Sequence, residues 1–170
     1  MLKNLFAILL MLAAFETGAA PIIVQAEDET QVSRTGSWSQ FFGSVLNDGS
    51  GLESSLVGST LSLTFTTGGG DFSIFGTTGP NRGMFDVAIS GLGSSLVDSF
   101  SPSFLFQQEY FSINLAPGTY SVTTTVSTPI HAIDYFQFEE SAAVPEISIM
   151  ALFATGLLGL GFARRRSVRS

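Results

Sequence analysis

The sequence predicts an all-β protein, an antiparallel β-sandwich of jelly-roll type over residues 36–140, flanked by an N-terminal signal helix and a C-terminal transmembrane helix. Three observations carry this. Leu61, Leu63 and Phe65 alternate with Ser62, Thr64 and Thr66, as do Phe85, Val87 and Ile89 with their neighbours, which is the period of a strand with one buried face. Short β-rich runs are broken repeatedly by Gly, Ser, Asn and Pro, and no stretch of the middle sustains a helical period. Both ends, by contrast, are continuous apolar runs beside basic residues.

In chain order, strands are expected at Ser37–Phe42, Leu61–Thr66, Phe72–Phe75, Met84–Ile89, Ser95–Asp98, Leu105–Ile113, Thr119–Val126 and Ala132–Phe138. Gly68-Gly69-Gly70-Asp71 is expected to close a hairpin between the second and third of these. Gly79-Pro80-Asn81-Arg82-Gly83 and Ala116-Pro117-Gly118 are turns by composition, because Pro fixes one φ and Gly permits positive φ. About eight short strands in so short a span argue for a sandwich. With no cysteine, apolar burial alone must hold it, and twelve of the sixteen Phe lie in this middle.

The N-terminus carries Lys3, an unbroken apolar run from Leu5 to Phe15, and the small residues Thr17 to Ala20, the order of a secretory signal peptide within residues 1–26. Cleavage fits after Ala20 or after Ala26, and the Sec export machinery is the implied partner. Residues 27–35, polar and without apolar period, read as a lead-in. At the other end, residues 141–170 hold Val144-Pro145-Glu146, then Ile147–Ala163 without a charge, then Arg164, Arg165 and Arg166. As a helix the apolar run is roughly 26 Å long, at the short limit for crossing a bilayer. The three arginines resist translocation and would stop the tail with the domain on the periplasmic side of the inner membrane.

The seven basic residues fall mostly in the ends; between them stand Arg34 and Arg82 against twelve carboxylates. A middle without Lys and so acidic excludes nucleic acid as a partner and is repelled by anionic headgroups, so membrane attachment falls to the C-terminal helix.

The chemistry available to the middle is sparse. His131 is the one histidine and follows Pro129-Ile130 at a strand start, which reads as a strand-end residue rather than a triad base, although counting alone does not exclude a Ser-His-Asp arrangement. Asp86, Asp98, Glu109 and Asp134 do not resolve into a pair with glycosidase spacing. No enzyme, no catalytic residue, no cofactor and no metal site is expected; Asp134 has the chemistry to face a cation but no calcium-loop motif surrounds it. Arg82 admits two readings, a guanidinium donating to sugar with Asn81 beside it, or a structural ion pair with an acid such as Asp86. Trp38, Tyr110 and Tyr135, with Phe100 and Phe104, are candidates for a sugar-stacking platform.

Two resemblances sharpen these expectations. Val144-Pro145-Glu146, the helix with Gly-Leu-Leu-Gly-Leu-Gly at 156–161 and the arginine cluster resemble the PEP-CTERM sorting signal, with Ile147 where that motif has a second proline. That resemblance implies a substrate of exosortase, a membrane protease of Gram-negative bacteria that make extracellular polysaccharide, and a final place at the cell surface or in the extracellular matrix. Residues 58–139 resemble galactose-binding-like jelly-roll modules, through Ile74-Phe75-Gly76, the 79–83 turn, Phe85-Asp86-Val87, Leu115 to Tyr120 and Ile133 to Phe136. That resemblance implies polysaccharide binding. The alternative is a structural or adhesive matrix protein that binds other proteins.

Overall fold

A computed structural model describes residues 20–139, and the helices expected at the two ends lie outside these residues. Eleven antiparallel strands form two facing sheets: β1 (Pro21–Gln25), β2 (Val32–Thr35), β3 (Ser39–Phe42), β4 (Ser50–Ser54), β5 (Thr60–Thr67), β6 (Gly70–Thr78), β7 (Met84–Ile89), β8 (Gly93–Asp98), β9 (Leu105–Leu115), β10 (Gly118–Val126) and β11 (His131–Glu139). One sheet runs β3-β4-β11-β6-β9, with β1 also paired to β11; the other runs β2-β5-β10-β7-β8. This is the expected all-β jelly-roll sandwich. Among the described residues no helix is long and apolar enough to cross a membrane.

The alternating residues meet between the sheets. Leu61, Leu63 and Phe65 of β5, Phe85 and Val87 of β7, and Val122 of β10 pack against Phe72 and Ile74 of β6 and Ile133, Phe136 and Phe138 of β11. Phe65 touches both Phe72, at 5.0 Å between centroids, and Phe138, at 4.4 Å. Burying one such side chain contributes about 1.5–3 kcal/mol, so these rings supply much of the cohesion that disulfides do not. The opposite face of β5 and β10 is a ladder of hydroxyl pairs, Ser62 with Thr123 at 2.9 Å and Thr66 with Thr119 at 2.9 Å.

Three expectations need correction. The turn after β5 does not close a hairpin: β5 pairs with β2 and β10, while β6 pairs with β11 and β9 in the opposite sheet. The glycines carry the chain across the sandwich, Gly69 and Gly70 at φ of 101° and 112°, so that Phe65 and Phe72 face one another through the core. The polar lead-in contains β2, whose Val32 is buried against the core, and the turn before it is tied by Asp28, which accepts from the Thr30 N–H and hydroxyl. Residues 21–26 also belong to the sandwich rather than to a leader. β1 pairs with β11 from Pro21 opposite Glu139 to Gln25 opposite Tyr135, and Val24 and Ala26 are each 1% exposed. The sandwich therefore starts at residue 21, not 36.

Register also fixes which end of the sandwich is which. Pro21, Thr67, Gly70, Leu115, Gly118 and Glu139 gather at one end, where the Thr67 hydroxyl donates to the Glu139 carbonyl at 2.7 Å. Ser54, Thr78, Leu105 and His131 mark the other. Both ends of the described chain thus leave from the side opposite the 79–83 turn.

Candidate functional site

The site is built from the 79–83 turn upward. The Arg82 N–H donates to the Gly79 carbonyl at 3.1 Å, closing the turn, and the Gly83 N–H donates to the Ile130 carbonyl at 3.0 Å, binding it to the start of β11. The 99–104 loop is held against the same turn. Gly79 N–H donates to Ser99 O at 3.2 Å, and Ser101 N–H to Gly79 O at 3.1 Å. A Cβ at Gly79 would lie 2.5 Å from the Phe104 ring, so glycine there lets the ring lie flat on the turn. Ile130 adopts φ of 64°, an outlier for a β-branched residue, held by the surrounding hydrogen bonds.

Together these segments and the neighbouring strands β3 and β4 enclose a pocket of about 220 Å³, lined by Ser37, Ser39, Glu53, Ser54, Ser55, Asn81, Arg82, Phe104 and Ile130. Its volume lies below the roughly 300–1,000 Å³ of common small-molecule pockets, which suits one small polar ring better than a large apolar ligand. Arg82 Nη1 donates to Glu53 Oε2 at 3.1 Å, and the guanidinium carbon lies 5.9 Å from the centroid of the Phe104 ring. The arginine side chain is 8% exposed and that of Glu53 41%, so the cation is the more deeply buried of the two charges. Phe104 itself is 49% exposed. The pocket thus offers a carboxylate, serine hydroxyls and an amide for directional hydrogen bonds, beside one half-open aromatic face.

Of the residues expected from sequence, Asn81, Arg82 and Phe104 reach this pocket, and Phe100 does not. The ion-pair partner of Arg82 is Glu53, not Asp86, because β4 runs beside the turn while the Asp86 strand lies in the other sheet. Trp38, Tyr110 and Tyr135 are not pocket-lining and are committed to internal contacts. The Trp38 indole donates to the Thr35 and Thr60 carbonyls at 3.0 and 3.1 Å. Tyr110 meets Phe85 edge-on at 5.5 Å and donates to the Ala132 carbonyl at 3.0 Å. Burial raises the pKa of its phenol well above the usual tyrosine range. Tyr135, 8% exposed, stacks on Phe75 at 4.6 Å.

His131 is fully buried and stacked on Phe85 at 3.7 Å, and neither ring nitrogen has a hydrogen-bond partner. Burial, helped by the Arg82 charge, lowers its pKa to about 3, so the imidazole is neutral. It is not assembled with a serine and an acid as the base of a hydrolytic triad.

A second polar group lies on the β1–β11 seam. The Ala26 N–H donates to the Asp134 carbonyl at 3.0 Å, which brings residues 25–27 alongside Asp134. Asp134 Oδ2 accepts from the Asn47 N–H at 3.0 Å, and the Ser50 hydroxyl donates to Glu27 Oε1. Three buried oxygens have no donor: Gln25 Oε1, Glu27 Oε2 and Asp134 Oδ1. Burial and the Glu27 charge push the Asp134 carboxyl up to about 6. Among the described residues no group of three or more His, Cys, Asp or Glu side chains that could hold a metal ion is present. Asp134 is visible in the sequence, whereas Gln25 lies in the stretch that only the later of the two expected cuts would remove and Glu27 in the polar lead-in; the burial of Val24 and Ala26 beside them emerges in three dimensions.

No protein-family model and no curated protein matches the chain. Among solved structures, it is similar to the exo-β-1,3-galactanase Pc1,3Gal43A of Phanerochaete chrysosporium, here the E208A variant with β-1,3-galactotriose, at 21% identity and a TM-score of 0.53 over 70% of this chain and 29% of that one. It is similar also to a family two carbohydrate esterase from Cellvibrio japonicus, at 13% identity and a TM-score of 0.50 over 72% of this chain and 34% of that one. A xanthan lyase from Paenibacillus shares 16% identity at a TM-score of 0.53 over 68% of this chain and 13% of that one. The chain therefore spans about a third or less of the length of each, and at such identities the likeness is one of fold: a jelly-roll β-sandwich.

Proposed function

We propose that the domain is a non-catalytic polysaccharide-binding module of an exported protein, and that the 79–83 turn with Phe104 forms its ligand site. The observation that supports this most is the pocket itself: Asn81, Arg82, Glu53 and four serines surround a space of about 220 Å³ beside a half-open Phe ring. Sugars need this combination, since their hydroxyls take bidentate polar partners and their C–H faces pack on an aromatic ring. The similar structures reported above carry carbohydrate-related names, which adds weight at the level of substrate class.

In this reading the signal peptide is removed by cleavage after Ala20, since a cut after Ala26 would remove β1. The C-terminal tail holds the domain at the inner membrane until an exosortase-type protease cuts near Pro145-Glu146. Glu139 and the 79–83 turn stand at opposite ends of the sandwich, so the pocket lies at the end remote from residue 139. Affinity electrophoresis through gels holding polysaccharides of the producing cell tests the binding. Retardation by at least one of them is expected, reduced severalfold by Phe104→Ala; free migration in every gel would refute it.

A further inference from the structure

We infer that Glu53 sets the ligand class of the pocket: it admits neutral sugars and turns away uronate-bearing chains. This rests on the polysaccharide-binding reading and adds to it which polysaccharides bind. An arginine in a sugar site usually invites a carboxylate, because its planar fork matches two carboxylate oxygens. Here one arm of that fork is already engaged. Arg82 Nη1 is bonded to Glu53 Oε2 at 3.1 Å, the ring of Phe104 lies 5.9 Å from its centre, and Nε is buried without a partner.

Exposure decides which charge an incoming ligand meets. The Arg82 side chain is 8% exposed and the Glu53 side chain 41%, so an approaching sugar meets the carboxylate before the guanidinium. Ser37, Ser39, Ser54 and Asn81 complete the lining with neutral groups. Nor does the rest of the domain compensate. Within residues 20–139, Arg34 is the other cation, and it is paired to Glu29 on β2 and the turn before it. A uronate would have to settle beside the Glu53 carboxylate, displacing it from Arg82 or sharing that one cation with it, inside a domain already strongly acidic. A neutral hydroxyl instead accepts from Asn81 and donates to the open oxygen of Glu53 without breaking the pair.

The test uses the full chain in detergent and three matched pairs of probes: oligogalacturonate, oligoglucuronate and oligomannuronate, each beside its carboxyl-reduced neutral form. For the wild type, at least one neutral probe is expected to bind at least tenfold tighter than its uronate partner, with affinity insensitive to salt. Glu53→Gln frees the guanidinium and removes the repelling charge, so the preference should narrow or invert, and the new uronate binding should weaken as salt rises. Glu53→Asp keeps the charge and should keep the neutral preference, which separates selectivity from loss of fold. Uronate bound by the wild type as tightly as its neutral form, or a preference unchanged in Glu53→Gln, overturns the assignment of Glu53 while the polysaccharide reading stands. Binding of none of the six probes by the wild type or either variant overturns the assignment and counts against that reading too.

Discussion

Val24→Ala is the sharpest test of where the folded domain begins. Val24 is 1% exposed and lies opposite Phe136 on β11, in contact with the central core. Truncation to Ala deletes two methyl groups at about 0.8 kcal/mol each, and the residual cavity adds to this, for roughly 2 kcal/mol. For a domain of this size a loss of 1 kcal/mol lowers Tm by about 4 °C, so Tm should fall by roughly 8 °C. Thermal unfolding of a chain beginning at Ala20 is followed by circular dichroism, with Ile23→Ala as control, because Ile23 is an exposed residue of the same strand. If Val24→Ala changes Tm no more than the control, residues 21–26 do not contribute to the core and the pairing of β1 with β11 is refuted.

Two further predictions concern buried charge. The folded-state pKa of Asp134 is raised from 3.8 to about 6, so its contribution is most favourable below pH 3.8 and is lost as pH rises through 6; Asp134→Asn should therefore stabilise the domain at pH 8. His131 works in the opposite sense: its folded-state pKa is lowered from 6.5 to about 3, so the stability linked to its neutral form is present above pH 6.5 and lost as pH falls toward 3. Its nitrogens have no partners, so His131→Leu should keep the fold and move the acid-unfolding midpoint down by roughly half a pH unit or more.

The parts of the fold legible in the sequence are those where burial alone decides. Leu61, Leu63 and Phe65, or Phe85, Val87 and Ile89, declare a buried face by alternation, and the strands observed there match the expectation closely. Alternation does not say which strand is the neighbour. That is why the glycine turn after β5 reads as a hairpin in sequence and is a crossing between sheets in three dimensions. β1 and β2 were hidden for another reason: a short apolar run that continues an expected leader, then a cluster of acids, look the same whether the segment is cleaved, loose or paired in a sheet. At the site, Asn81 and Arg82 were legible because a rare cation in a Gly-Pro turn is conspicuous. Glu53 was not, since its partnership with Arg82 spans 29 positions. Trp38, Tyr110 and Tyr135 carry the chemistry of a platform, but sequence does not reveal that their polar atoms and faces are spent inside the fold.

The central claim, that the pocket between the 79–83 turn and β4 is where sugar binds, is tested most directly by backbone amide chemical shifts in isotope-labelled protein titrated with a neutral oligosaccharide that retards it in gels. The account predicts saturable shifts at Ser37, Glu53, Asn81, Arg82 and Phe104, and none along the hydroxyl ladder of β5 and β10 on the other sheet. Shifts that map to that ladder, or to the exposed strand edges, with the 79–83 turn unmoved, would contradict it.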